Sequence, residues 1–143
     1  MLDYTHILYA TNLDETCKIT LKRVVAFAGK INAKVTVTHV VQPVLAAYPY
    51  GCALRPDDLE GSLVEESQKI LAELLKSVGL DLNCSSTKIG NPDELILEQA
   101  ESLKCDVIIL NGHTHNAFGR LGSSADIIIN KATCDVIILR SKA

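Results

Sequence analysis

The hydrophobic positions of this chain form short uninterrupted runs separated by stretches of helical periodicity. The six residues CDVIIL occur twice, at 105–110 and at 134–139. An apolar, β-branched run without polar alternation is typical of a strand covered on both faces, as in a parallel sheet. The interval of about 30 residues fits one strand, one crossover helix and the next strand. The repeat therefore predicts a βαβ unit in the second half of the chain.

Three more segments have strand character. His6 to Thr11 and Lys34 to Val41 are strong candidates, and Asp81 to Ile89 is a weaker one. Together with the two repeat copies, they predict five strands.

The first two predicted helices each have one apolar face. The second follows Pro56, where Ser62 and Glu65 have the spacing of a capping box, and it ends at Gly79. The first helix is expected to pack through Leu21, Val24, Val25 and Ala28, and Gly29 lies near its end. The second is expected to pack through Leu63, Ile70, Leu71, Leu74, Leu75 and Val78.

The third helix is predicted by the sequence GNPDE at 90–94. It supplies a turn glycine, an N-cap asparagine, a proline at the first helical position and two acids near the positive helix end. Its expected core face is Ile96, Ala100 and Leu103. The fourth helix is expected to begin near Gly122, Ser123 and Ser124, with the serines as candidate caps, and to run through Ile127, Ile128 and Ala132. This order of elements predicts a single α/β domain over residues 1–143.

One connection, Gln42 to Asp57, is long for a compact domain. It holds three of the four prolines and two of the four tyrosines. Such a loop is either functional or mobile, or it is an ordered cover over one sheet edge.

Composition excludes several functional classes. The formal net charge is −3 and no basic cluster occurs, so neither nucleic acid nor an anionic membrane is an expected partner. The five cysteines form no CxxC pair, and their odd number cannot close into a complete disulfide framework. A reducing cytoplasm is therefore the expected location. Cys105 and Cys134 are predicted to be buried at strand starts and slow to react.

Ligands of open parallel sheets bind beyond the carboxyl ends of the strands, where the strand order reverses. Here we expect that crevice between the first and fourth strands. The loops facing it are Thr11 to Glu15 and Asn111 to Leu121, which offer amide, carboxylate, imidazole and hydroxyl groups.

The segments HILYATN (6–12), VTVTHVV (35–41), GNPDELI (90–96) and LNGHTHNAFGRLGSSADIIINKATCDVIILR (110–140) resemble a universal stress protein. The resemblance covers the chain except for the Gln42 to Asp57 loop. It implies a Rossmann-like five-stranded parallel sheet of order 3-2-1-4-5 with helices on both faces, like the adenine nucleotide alpha hydrolases. It also implies a role in stress tolerance without a defined reaction, and a homodimer through the last strand, at Val136, Ile137, Ile138 and Leu139.

The family that this sequence resembles divides into a class that binds ATP and a class that does not, and the sequence resembles the class that lacks the complete ATP-binding motif. Gly112 matches the first glycine of the binding motif, and Gly122 with Ser123 matches its end. His115 replaces the second glycine, and only six residues separate it from Gly122 where binding members have nine. The aspartate expected after the first strand is Asn12. The candidate crevice residues are Thr11, Asn12, Val40, Val41, Gly112, His113, His115, Gly122, Ser123 and Ser124.

These departures predict that ATP binds weakly or not at all and that no cofactor is held. The first function hypothesis is a dimeric stress-response module that acts through its surface or an unidentified ligand, with protein partners still to be found. The second is an ATP- or AMP-responsive switch whose shortened loop holds nucleotide or a smaller anion weakly. The third is a slow hydrolase with His113 or His115 as the base, although no catalytic motif is visible. His113 and His115 could both bind a metal, but no acidic or cysteine third ligand is evident nearby, so no metal site is expected. His39 is expected to be a hydrogen-bonded core residue.

Overall fold

The computed structural model describes residues 3–14, 16–42, 56–112 and 123–140, apart from the side chains of 56–60 and 123. Strands and helices alternate along the chain, as the sequence predicted. The elements are β1 (His6–Ala10), α1 (Cys17–Ile31), β2 (Lys34–Val41), α2 (Pro56–Ser77), β3 (Ser85–Ile89), α3 (Pro92–Ser102), β4 (Val107–Gly112), α4 (Ser123–Lys131) and β5 (Asp135–Arg140).

The five strands form one parallel sheet in the order β3-β2-β1-β4-β5. This confirms the predicted fold class and strand order. In the register, Ala10 of β1 lies between Thr38 of β2 and Leu110 of β4. The chain moves outward in one direction from β1 to β3 and then in the other from β4 to β5. The strand order therefore reverses at β1 and β4, and the two halves leave a gap beyond their carboxyl ends.

Each face of the sheet is covered by two helices. On one face, α1 and α2 cover a cluster that includes Ile7, Tyr9, Leu21, Val24, Val37, Leu75 and Ile109. On the other, α3 and α4 cover Leu8, Ile96, Ala100, Cys105, Ile108, Leu110, Ala125 and Ile128. Because both faces are covered, adjacent residues of a central strand are buried on opposite sides. This explains the uninterrupted apolar runs.

The start of α2 differs from the prediction. The helix begins at Pro56, so Ser62 and Glu65 lie inside it and form no capping box. Proline at a helix start has a preset φ and no N–H to satisfy, which favours the earlier start. The predicted stripe is also too wide, because Leu63 and Ile70 are exposed.

The ends of the other helices follow local signals, with two corrections. Helix α1 continues past Gly29 to Ile31, and Asn32 adopts the left-handed cap conformation with φ 58°. Helix α3 has the predicted cap, with the Asn91 side chain accepting from the Asp93 amide at 3.0 Å. Leu103 lies just beyond α3 and is 41% exposed, so it does not belong to the core face.

Three strands begin later than predicted. A 3₁₀ turn, Leu82–Cys84, occupies the first half of the segment expected to be the weak strand. Cys105 precedes β4 by two residues and Cys134 precedes β5 by one. Cys105 is buried as expected, whereas Cys134 is only half-buried.

The expected loop Gln42 to Asp57 lies outside the described residues except at its ends, where Gln42 follows β2 and Asp57 belongs to α2. In the described residues, no helix has the length and apolar character needed to cross a membrane.

Candidate functional site

A cavity of about 530 Å³ opens beyond the carboxyl ends of β1, β2 and β4. It lies at the reversal of strand order, where the sequence analysis placed the ligand crevice. The strand ends and following residues contribute Ala10, Thr11, Asn12, Thr38, His39, Val40, Val41, Gln42, Leu110 and Asn111. The helices contribute Leu63, Ser67, Pro92, Ile96, Ser124, Ala125 and Ile128. Its volume falls within the range of small-molecule sites.

The turn after β1 is held by its own polar groups. The Thr11 amide donates to the Thr38 carbonyl at 2.9 Å, which extends the β1–β2 contact by one residue. The Thr11 hydroxyl oxygen then accepts from the Leu13 amide at 3.1 Å, and Leu13 takes a left-handed φ of 59°. A carboxylate oxygen of the next residue, Asp14, accepts from the amide and hydroxyl of Thr16, where α1 begins. These bonds leave Asn12 exposed at the rim of the crevice.

His39 links this turn to β2. Its Nδ1 lies 2.9 Å from the Thr11 carbonyl oxygen. A carbonyl oxygen can only accept, so Nδ1 carries a proton and is the donor in this contact. The residue is half-buried and hydrogen-bonded, close to the expected core histidine, but it also lines the crevice.

Asn111 brings an unused donor to the crevice. The hydroxyl of the buried Tyr9 donates to Asn111 Oδ1 at 3.1 Å, while Asn111 Nδ2 is buried and has no partner among the residues that the structure describes. Burial raises the pKa of Tyr9 to about 12, so the phenol stays protonated and keeps the Asn111 amide in this orientation. An unpaired buried donor costs about 1–3 kcal/mol, which an acceptor on a ligand would recover.

A second buried donor belongs to Gln99. The Thr38 hydroxyl donates to Gln99 Oε1 at 3.0 Å, and Gln99 Nε2 is buried with no hydrogen-bond partner in the described part of the chain. Gln99 lies on α3, which packs over the face that includes Leu110 and Ile128. Thr38 lines the crevice but Gln99 does not, and most of the described lining side chains are apolar.

The described lining of the crevice contains no lysine, arginine, aspartate or glutamate. Its only titratable side chain is His39. This arrangement can hold a small molecule by shape and hydrogen bonding, but it offers neither a paired acid and base nor a carboxylate for a metal. Across the described part of the chain, no group of three or more metal-binding side chains occurs.

The structure brings half of the candidate residues together. Thr11, Asn12, Val40, Val41 and Ser124 all line the crevice. Gly112 does not: it ends β4 against β5, where an added Cβ would lie 3.1 Å from Arg140 and 3.2 Å from Ile138. His113, His115 and Gly122 lie outside the described residues, as does the side chain of Ser123, the first residue of α4.

Sequence reasoning missed the contributions of α2 and α3. Leu63 and Ser67, one helical turn apart on α2, and Pro92 at the start of α3 all line the crevice. The sequence carried one indication of this. Leu63 is the first residue of the predicted apolar stripe of α2, and the polar residue Ser67 follows it one helical turn later on the same face. That pattern is consistent with a surface facing a cavity, but it does not say which cavity.

Comparison with known proteins agrees with this architecture. The model of the universal stress protein family matches residues 3–140. The chain is 31% identical to universal stress protein A homolog 1 of Coxiella burnetii, over 99% of each chain. The solved structure of hypothetical protein MJ0577 superposes with a TM-score of 0.79 at 26% identity, covering 99% of both chains. A universal stress protein solved in complex with cAMP has a TM-score of 0.65 at 17% identity, covering 99% of this chain and 100% of the other. With a family match over almost its whole length and a five-stranded sheet in the expected order, this chain belongs to the universal stress protein family.

Proposed function

We propose that the protein is a non-catalytic stress-response module whose crevice binds a small ligand and does not hold ATP tightly. The observation that carries this proposal is that the described lining of the 530 Å³ crevice contains no lysine, arginine, aspartate or glutamate. A triphosphate with its Mg²⁺ needs cationic side chains or a close array of backbone amides. The described lining supplies no lysine or arginine, and the sequence has His115 and a shortened segment where binding members have glycine and a longer loop.

The same lining supports a ligand with hydrogen-bond acceptors. Asn111 lines the crevice and its buried Nδ2 has no hydrogen-bond partner among the described residues, so we expect a ligand acceptor that reaches this amide to satisfy it. Neutral donors and apolar walls favour a ring system with few charges over a polyphosphate.

An adenine nucleotide with one phosphate is the second candidate. A protein of the same fold was solved with cAMP, which carries a single negative charge. Ser124 lies at the crevice in the first turn of α4, so the positive helix end faces one side of the cavity. One anion can be accommodated there without a lysine or arginine.

The functional unit is a cytoplasmic homodimer joined through β5. Strand β5 is an edge of the described sheet, and Val136, Ile137, Ile138 and Leu139 remain half-buried in the single protomer. An apolar edge that stays partly uncovered favours pairing with a second copy. The free thiols of Cys17, Cys84, Cys105 and Cys134 suit a reducing compartment.

Calorimetric titration tests the proposal with ATP and Mg²⁺, AMP and cAMP at neutral pH. We expect an ATP dissociation constant in the high micromolar range or weaker. A low micromolar constant, or ATP retained through purification, would overturn the proposed selectivity. Mass spectrometry of small molecules released from freshly purified protein provides the search for the natural ligand.

A matched pair of variants shows whether binding occurs in the crevice. Ser67→Phe places a ring in the cavity from α2, whereas Glu66→Phe adds the same ring at the exposed neighbouring position. Any ligand of the crevice should be lost in the first variant and kept in the second. Slow phosphate release from ATP that disappears in His113→Ala or His115→Ala would contradict the non-catalytic assignment.

A further inference from the structure

A second cavity, of about 640 Å³, lies at the opposite edge of the sheet, where β1, β4 and β5 begin. Both Cys105 and Cys134 line it, together with Tyr4, Asp106 and Asp135. These are the first residues of the two CDVIIL copies, so the repeat delivers two thiols to the same place. The cavity shares no lining residue with the crevice.

The two cysteines lie on the same side of the sheet. Cys105 belongs to the buried cluster under α3 and α4, and Cys134 packs against that cluster. The parallel register begins with Val107 paired to Asp135, so Cys105 and Cys134 lie just before the paired residues. If sheet spacing of about 5 Å across the strands and about 3.3 Å along them continues back to the two cysteines, their Cα atoms are about 6 Å apart. Disulfides bridge Cα atoms at about 4.4–6.8 Å.

Hydrogen bonds hold both chain segments in position. The Asp106 carboxylate accepts from the Thr5 amide at 2.7 Å and the His6 amide at 3.0 Å, which ties the start of β4 to β1. The Tyr4 hydroxyl donates to Asp135 at 2.9 Å, which ties the start of β5 to the segment before β1. The backbones beside the two thiols are therefore fixed relative to each other through β1.

We propose that Cys105 and Cys134 form a reversible disulfide site that a low-molecular-weight disulfide, such as oxidised glutathione, closes. The order of reaction follows from access, because Cys134 is half-buried while Cys105 is only 7% exposed. The Cys134 thiolate attacks one sulfur of the small disulfide, forming a mixed disulfide and releasing one thiol. Cys105 then attacks the Cys134 sulfur and releases the second thiol. Two protein thiols and one small disulfide become one protein disulfide and two small thiols.

The reaction is slow at neutral pH. Burial and the neighbouring Cys134 thiol raise the pKa of Cys105 to about 11, and burial, followed by the charge of Asp135, raises the pKa of Cys134. Because the thiolate is the attacking species, the site resists brief oxidation and closes only under a sustained oxidising poise.

The test is incubation of the full chain with oxidised glutathione at pH 8.5, followed by alkylation of free thiols and non-reducing peptide mapping. We expect a Cys105–Cys134 crosslink that dithiothreitol reverses. The link closes a loop of about 30 residues, which predicts a rise in thermal midpoint on the order of 10 °C. Cys134→Ala should abolish both effects, whereas Cys84→Ala, a half-buried thiol beside β3, should leave them intact.

Two results would overturn the proposal. One is a glutathione adduct that persists on Cys134 without resolution by Cys105. The other is the absence of any Cys105–Cys134 link after prolonged exposure, whether or not Cys84 is modified. Cys134→Ser, at a half-buried position, provides a second variant if the alanine protein does not fold.

Discussion

Replacing Asp106 with asparagine should destabilise the protein through a single cluster of hydrogen bonds. One carboxylate oxygen accepts from the amide and the hydroxyl of Thr5, at 2.7 and 2.9 Å, and the other accepts from the His6 amide at 3.0 Å. These bonds join the start of β1 to the start of β4, which neighbours it in the sheet. Asp106→Asn keeps the size of the side chain but replaces one acceptor oxygen with a donor NH₂.

The expected cost is about 2 kcal/mol. At least one bond to a charged group is lost, worth about 1.5–3 kcal/mol, and an N–H of Thr5 or His6 then faces another donor. Thr5 is exposed, so water replaces part of the lost hydrogen bonding, and we expect a destabilisation near the lower end of this range. For a domain of this size, the loss corresponds to a fall in thermal midpoint of about 5–8 °C.

The destabilisation should also depend on pH. Burial opposes ionisation of Asp106, but the hydrogen bonds from Thr5 and His6 outweigh it and lower the pKa of the carboxyl below its ordinary 3.8. A carboxyl with a lowered folded-state pKa contributes stability above its unfolded-state pKa and loses it as the pH falls through the folded-state value. The gap between wild type and Asp106→Asn should therefore be full at pH 7 and close progressively below about pH 4.

Urea unfolding of both proteins from pH 7 to pH 3, at one fixed protein concentration, measures the gap directly. Glu98→Gln is the matched control, since it neutralises an exposed carboxyl on α3. It should change the unfolding free energy by less than about 0.5 kcal/mol. Equal stability of Asp106→Asn and wild type at pH 7, or a gap that stays constant down to pH 3, would refute the reasoning.

Three further substitutions test other parts of the structure. Gly90→Ala should cost about 1–3 kcal/mol in urea unfolding, because Gly90 has φ +154° and an added Cβ would lie 2.7 Å from Leu95 Cδ1; a neutral effect would contradict this turn geometry. Ile138→Lys should give monomer or insoluble protein in sedimentation, since it places a charge on the β5 edge; wild type that sediments as a monomer at micromolar concentration would end the dimer proposal. Asn12→Asp should tighten ATP binding about fivefold in calorimetry, a gain of about 1 kcal/mol from a charge-assisted bond; unchanged affinity, with Asn12→Ala as control, would show that this rim position does not contact the nucleotide.

The sequence alone determined the elements whose signals are local. The CDVIIL repeat predicted two buried parallel strands with a crossover helix between them; the structure has β4, α4 and β5 there, with β4 buried and the edge strand β5 only half-buried. The GNPDE segment predicted the start of α3 down to its Asn91 cap. Both succeed because apolar periodicity and capping depend on residues a few positions apart. The strand order came from family resemblance, since several orders are compatible with the same alternation of elements.

The candidate site was only partly determined by the sequence. The rule for parallel sheets located the crevice at the strand ends, and five of the candidate residues line it. The positions of Leu63 and Ser67 in its wall depend on where α2 packs over β2 and β3, and the early start of that helix displaced the predicted cap. The sequence of α2 shows which face of the helix is apolar, but not which strands that face packs against.

Tertiary structure alone decided the contacts between distant residues. Tyr9 and Asn111 are far apart in the chain, yet their hydrogen bond leaves the Asn111 amide as an unused donor at the crevice. Cys105 and Cys134 show no local motif, yet the parallel register of β4 and β5 brings them to one cavity. The burial of a strand can be predicted from its own run of apolar residues. Which side chains meet at an edge of the sheet depends on strand order, register and helix packing together.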